Sequence, residues 1–319
     1  EMLEALGIDR DKLPSRLVNS ATPVGRLLPS LASSLGLCEG IPVIAGGVDA
    51  AMATLAAGAT RPGNHVAMIG TSMCWGMINR RADASLGLIS MPHVLNGDQE
   101  IYTFGGALTA GASVSWYVDT FCGEDKAAAV ESGSAFERLE PPARELPPGA
   151  NGLLFLPYLM GERSPVWDAQ ASAAFIGLSL FHQRHHLYRA VLEGVTFALR
   201  HNMEASTQQE VTLDDHLIVV GGAAQSDLWM QIIADVTRMP VYTYRESVEA
   251  ALGAGLLAAQ ACDLLDLAKP LQHGNLVERA IPCETAACRY DELFTLYCQL
   301  YPTLKPVMHQ LNTNHTLSE

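Results

Sequence analysis

Short apolar runs closed by glycine recur along the chain, and longer stretches of helical period lie between them. Leu217-Ile218-Val219-Val220 runs straight into Gly221-Gly222, and Ala223-Ala224-Gln225-Ser226-Asp227 follows as a small polar turn. Trp229, Gln231, Ile232, Ile233, Ala234 and Val236 then repeat as a helix does. This pattern predicts a buried strand, a glycine turn and a helix start. A similar sequence ends on Gly46-Gly47, where Ile41-Pro42-Val43-Ile44 precedes Asp49 and a small-residue helix over 50–58. Residues 65–69 and 73–78 predict a hairpin with Gly70-Thr71-Ser72 at its tip, and 100–104 a third strand. Further strands are predicted at 152–158, 174–178 and 240–244. Residues 182–200 predict an amphipathic helix with Leu187, Ala190, Val191, Gly194, Val195 and Ala198 on one face. Residues 249–259 predict a helix with little bulk, interrupted by Gly253 and Gly255. A short helix and surface loop are expected over 123–149, an aromatic-rich helix within 280–312, and a frayed tail over 313–319. Consecutive hairpin strands followed by helices predict an α/β fold with a mixed sheet.

Composition narrows the class. The 319 residues are 49% hydrophobic and 17% charged, which is globular usage. A formal charge of −14 argues against a nucleic-acid or anionic-membrane surface, since both call for basic patches. No apolar run is long enough to span a bilayer. Seven scattered cysteines without a CxxC pair read as reduced thiols and point to the cytoplasm. Cys283 and Cys288 read as two unrelated thiols. His182 and His186 stand four apart, but no carboxylate has the matching HExxH spacing, so a polar helix start is the expectation. No side chain is assigned as a metal ligand. The opening Met2-Leu3-Glu4-Ala5-Leu6-Gly7-Ile8 reads as the end of a helix already under way, and the chain is expected to continue upstream.

Each glycine turn has two readings. Gly221-Gly222 lets a backbone approach a bulky anion or a flat base, or is an ordinary tight turn. Gly70-Thr71-Ser72 can wrap a phosphate, or is a plain polar hairpin tip. Asp49 is a carboxylate in a glycine-lined cleft, or a helix N-cap. Gly253 and Gly255 imply a close backbone neighbour, either at a hinge or in static helix packing.

Taken in order and spacing, these pieces resemble the second lobe of an actin-like ATPase. More narrowly, they resemble the C-terminal half of the FGGY carbohydrate kinases. Gly46-Gly47-Val48-Asp49-Ala50 stands where that family has its catalytic aspartate, and Ile69-Gly70-Thr71-Ser72 resembles its phosphate hairpin. The segments 157–168 and 189–195 resemble two signature stretches, 221–235 the adenosine motif, and 249–254 the interlobe helix. The Glu-Arg-Ser-Pro-Val-Trp-Asp run at 162–168 leans toward the xylulose and gluconate kinase branch.

The resemblance implies an α/β, ribonuclease H-like lobe with a mixed sheet and helices on both faces. It implies ATP-dependent phosphorylation of a sugar or sugar-acid hydroxyl, with Asp49 as general base and with Mg²⁺ carried on the nucleotide. Gly70, Thr71 and Ser72 would hold the β- and γ-phosphates; Gly221, Gly222 and Gln225 would lie against adenosine and the α-phosphate. Glu162 and Arg163 would support the cleft or form a structural salt bridge. The family's N-terminal Asp-x-Gly-Thr motif does not occur. Residues 1–40 are therefore expected to be the tail of an N-terminal lobe missing from this chain, 41–312 the nucleotide-binding domain, and the chain alone too incomplete to phosphorylate sugar. A homodimer is left open. The alternatives are a non-catalytic nucleotide-binding or regulatory module, and one half of a split kinase.

Overall fold

The structure, a computed structural model, describes residues 2–123, 135–206, 212–246, 248–267 and 276–316. The strands are β1 (Pro23–Arg26), β2 (Pro42–Ile44), β3 (His65–Ile69), β4 (Met73–Asn79), β5 (Ile89–Pro92), β6 (Ile101–Gly105), β7 (Leu154–Leu156), β8 (Ala174–Ile176), β9 (Leu217–Val220), β10 (Val241–Tyr244) and β11 (Leu276–Ala280). The α-helices are α1 (Met2–Ala5), α2 (Pro29–Leu35), α3 (Asp49–Ala56), α4 (Gly111–Phe121), α5 (Ala135–Arg144), α6 (Arg184–Ser206), α7 (Asp227–Thr237), α8 (Ala250–Ala261) and α9 (Glu284–Thr316).

A seven-stranded sheet in the order β11-β10-β9-β3-β4-β6-β5 organises the chain. β9 runs parallel to both β3 and β10, and the remaining pairs are antiparallel, so the sheet is mixed. Its strands bury both faces because side chains alternate along them. Ala67, Ile69, Trp75, Met77, Leu217 and Val219 face the core that also contains residues of α4, α6, α7 and α9. Val66, Ile78, Tyr102 and Val220 face the opposite core, shared with Met52 and Leu55 of α3 and Leu256 and Leu257 of α8. The continuous apolar runs in the sequence are thus strands covered by helices on both sides. Among the described residues no helix is long and apolar enough to cross a membrane.

The structure departs from the sequence pattern in several places. β2 pairs with β1 in a separate two-stranded sheet and not with the main sheet. α6 is not amphipathic in its surroundings: every residue from Tyr188 to Leu199 is buried. It is enclosed by α4, α5, α7 and β7, a burden of contacts that a one-sided apolar stripe does not announce. α9 continues through Thr316, where the tail was expected to begin at 313, and 317–319 lie outside the described residues; just before it, Asn312 Nδ2 donates to the Gln170 carbonyl at 2.7 Å. Of the helix and loop expected over 123–149, residues 135–144 form α5, and 124–134 lie outside the described residues.

The two glycines of α8 have different surroundings. A Cβ at Gly253 would overlap the Met52 carbonyl oxygen of α3, so the helices touch backbone to backbone. Gly255 has open space at that position. Gly253→Ala is therefore expected to destabilise the chain by about 2–3 kcal/mol through overpacking. Gly255→Ala is expected to be neutral or to stabilise by up to about 1 kcal/mol. Urea unfolding of the two variants checks the contrast, and equal midpoints would contradict it.

Candidate functional site

Parallel pairing of β3 with β9 builds one wall of the site. The register sets Met68 beside Val220, so both strands end at the same edge of the sheet. The hairpin tip and the glycine corner therefore become neighbours, although about 150 residues separate them in sequence. A Cβ at Gly221 would lie 2.6 Å from the Ile69 carbonyl oxygen, and Gly221 has φ +96°. Only glycine satisfies both conditions. Gly222–Gln225 then makes a single 3-10 turn, and the Ser226 hydroxyl caps α7 by accepting the Trp229 amide at 3.0 Å. The indole of Trp229 donates to Thr196 on α6 at 3.1 Å, which fixes the corner to the buried helix.

Gly70, Thr71 and Ser72 form the exposed tip between β3 and β4, closed by the Gly70 amide donating to the Ser72 carbonyl at 3.0 Å. Asp49 opens α3. The N-cap position belongs to Val48, whose side chain makes no capping bond, and the Asp49 carboxylate accepts the amide of Ala50 at 2.7 Å. Its side chain is exposed. Asp49 is thus the first residue of the helix, next to the N-cap position, and it lines a cleft.

That cleft has a volume of about 940 Å³, and all seven candidate residues line it: Asp49, Gly70, Thr71, Ser72, Gly221, Gly222 and Gln225. The lining also includes residues that the sequence pattern missed, among them Tyr244, Arg245, Val277 and Arg279. Arg279 reaches back to the Ala224 carbonyl and the Asp227 carboxylate, each at 2.5 Å, and braces the glycine corner. Its strand, β11, was not read from the sequence, because Leu276–Ala280 is a half-exposed edge strand carrying Glu278 and Arg279. Glu249, at the start of α8, and Cys74 on β4 also line the cleft. Burial pushes the Cys74 thiol up to about 11, so it is no nucleophile at neutral pH.

Other candidates fall elsewhere. His182 Nδ1 accepts the Ser179 amide at 3.0 Å and His186 Nδ1 accepts the Gln183 amide at 3.1 Å, so both serve the start of α6. Cys283 and Cys288 are exposed free thiols. Glu162 is buried, and its Oε1 accepts the amides of Arg163 at 2.7 Å and Leu108 at 3.3 Å. Arg189 and Glu193, from the second signature stretch, form a buried i,i+4 ion pair at 2.7 Å within α6.

A mixed sheet covered on both faces, with strand ends and glycine turns opening on a nucleotide-sized cleft, defines an actin-like ATPase fold. The model of the FGGY family of carbohydrate kinases, C-terminal domain, matches residues 65–262, and that of its N-terminal domain matches residues 1–56. The chain belongs to the FGGY family of carbohydrate kinases.

Among its relatives is a xylulose kinase of Lactococcus lactis, 31% identical over 318 residues, covering 98% of this chain and 60% of the relative. A gluconokinase of Bacillus licheniformis is 30% identical over 325 residues, covering 100% of this chain and 62% of the relative. The solved structure of ligand-bound xylulose kinase from Lactobacillus acidophilus superposes with a TM-score of 0.85 at 27% identity, over 97% of this chain and 61% of that one. The chain thus spans about 60% of the length of the curated relatives it matches. Residues of both family domains are present, and the comparisons lend no support to a separate N-terminal lobe as a partner.

Proposed function

We propose that this chain carries the nucleotide site and the catalytic base of an ATP-dependent carbohydrate kinase. The observation that supports this most is that one cleft gathers Asp49, the hairpin tip Gly70-Thr71-Ser72 and the corner Gly221-Gly222 with Gln225. In this reading the adenosine and α-phosphate lie along Gly221, Gly222 and Gln225, where backbone can come close. The tip amides and the Thr71 and Ser72 hydroxyls hold the β- and γ-phosphates. Asp49 accepts the proton of a sugar or sugar-acid hydroxyl as that oxygen bonds to the γ-phosphorus. The bond from the γ-phosphorus to the bridging oxygen breaks, and ADP leaves. Phosphoryl transfer of this kind needs chiefly positioning and charge stabilisation, with a carboxylate placed to take the hydroxyl proton.

Mg²⁺ fits as an ion brought in on the nucleotide. Among the described residues no group of three or more His, Cys, Asp or Glu side chains forms a metal cage, and Asp49 and Glu249 are carboxylates in the cleft. An ion that keeps most of its water and binds phosphate oxygens suits such a site, and it would supply charge neutralisation between phosphates. The substrate class follows the names of the relatives, xylulose kinase and gluconokinase, so a ketopentose or an aldonate is the acceptor we propose.

A panel of ketopentoses, polyols and aldonates, assayed with the full-length gene product by coupled ADP release, tests the proposal. Sugar-dependent turnover with a ketopentose or an aldonate is the expected result. Tight ATP binding without turnover on any member would instead favour a nucleotide-binding module.

A further inference from the structure

The hairpin tip does not stand alone. The segment 106–112, which links β6 to α4, lies along its underside. The Met73 amide donates to the Ala107 carbonyl at 3.1 Å. The amides of Ala110 and Ala112 donate to the Thr71 carbonyl at 2.9 and 3.0 Å, and that of Gly111 to the Gly70 carbonyl at 2.8 Å. The approach is close enough that side chains are excluded. A Cβ at Gly106 would overlap the Met73 carbonyl oxygen, and one at Gly111 would lie 2.5 Å from the Gly70 carbonyl oxygen.

The same segment is held from its other side by 157–164. Ser164 Oγ accepts the Gly106 amide at 2.7 Å, Glu162 Oε1 accepts the Leu108 amide at 3.3 Å, and the Thr109 hydroxyl donates to the Pro157 carbonyl. The segment is thus held on both sides: the Gly106 and Leu108 amides and the Thr109 hydroxyl bond to the 157–164 loop, while the Ala107 carbonyl and the Ala110, Gly111 and Ala112 amides bond to the hairpin. Glu162 is the one carboxylate among these anchors. It is 4% exposed, and burial pushes it up to about 7. A carboxylate kept in so unfavourable a place, with Oε2 lacking a hydrogen-bond partner, is not explained by packing.

We propose that Glu162 is a positioning residue for nucleotide phosphates: through the Leu108 amide it sets segment 106–112, and that segment sets the height and tilt of the Gly70-Thr71-Ser72 tip. The inference rests on the phosphate role proposed above for the tip. Glu162 itself lies outside the cleft lining and need not touch the nucleotide. Its effect should therefore fall on the phosphates and spare the adenosine end, which β9, α7 and Arg279 hold independently.

The test is calorimetric binding of ATP and of adenosine to the wild-type chain and to Glu162→Ala and Glu162→Gln variants. Glu162→Ala removes the acceptor of the Leu108 amide and is expected to weaken ATP about tenfold, while adenosine changes less than about twofold. Glu162→Gln keeps an amide oxygen for the Leu108 amide and should recover ATP affinity to within about threefold of wild type. If the alanine variant does not fold, Glu162→Asp is read in its place, because it withdraws the acceptor by one methylene. Equal losses for ATP and adenosine, or no loss for either, overturn the positioning role. A wild-type chain that binds ATP no more tightly than adenosine overturns the phosphate reading of the tip itself, and the proposal with it.

Discussion

Asp49→Asn in the full-length gene product should bind ATP within about threefold of wild type and lose about a thousandfold in sugar phosphorylation. The substitution is nearly isosteric, and the one bond the side chain makes, accepting the Ala50 amide, can pass to the asparagine oxygen. α3 should therefore keep its start and its packing on α8. What is lost is a group able to accept a proton from the attacking hydroxyl. General-base contributions are typically about a hundred- to ten-thousandfold, which sets the size of the effect. Steady-state turnover and ATP affinity, measured on the same preparation, separate the two consequences. Turnover within about tenfold of wild type would remove Asp49 as the base and leave the cleft as a nucleotide site without its assigned catalyst.

The largest stability loss should come from Arg189→Ala, far from the cleft. The Arg189 guanidinium gives Nε to Glu193 Oε1 at 2.7 Å, one terminal nitrogen to the Ala143 carbonyl at 2.9 Å and the other to the Tyr290 hydroxyl at 3.0 Å. Tyr290 in turn donates to Glu193 Oε1 at 2.7 Å, and the Gly149 amide donates to the same oxygen at 3.1 Å. Arg189 and Glu193 are 6% and 1% exposed. Burial pushes the Glu193 carboxyl up against the opposing pull of Arg189. Removing the guanidinium leaves a carboxylate in the core with its strongest partner gone. The expected cost is about 3–5 kcal/mol, read as a lower urea midpoint at unchanged slope. Arg189→Met combined with Glu193→Leu should recover only part of it: two apolar groups carry no desolvation penalty, but the Ala143 carbonyl, the Tyr290 hydroxyl and the Gly149 amide lose these partners. An alanine variant within about 1 kcal/mol of wild type would show that the pair is not what joins α5, α6 and α9. The signature stretch at 189–195 is thus explained by the core, and ATP binding by whatever fraction remains folded should be unchanged.

Much of the site was legible as local chemistry. Apolar runs ending in glycine marked Gly221-Gly222 and the Gly70 tip correctly, because a buried strand needs continuous apolar residues and a tight exit needs a missing side chain. The hairpin between β3 and β4 was legible for the same reason. So was the bareness of α8, although the sequence could not say that Gly253 meets the backbone of α3 while Gly255 meets nothing. Other features left no local trace. β11 is a short, half-exposed edge strand with Glu278 and Arg279 side by side, so Arg279 was invisible as a brace of the glycine corner. α6 carried an apolar stripe, yet it is buried around its whole circumference, because four elements converge on it from different parts of the chain. Glu162 was read as a support of the cleft or as part of a structural salt bridge; it is a buried acceptor of backbone amides.

The sequence alone determined the glycine positions, the alternation that makes the strands two-faced, and the carboxylate at the start of α3, since each depends on residues close along the chain. Tertiary structure decided that these belong to one site. The parallel register of β3 against β9 brings two strand ends to one edge of the sheet, and the contact of α3 with α8 sets Asp49 at the mouth of the same cleft. Such pairings depend on which distant surfaces bury one another, and no spacing within a short window of sequence carries that information.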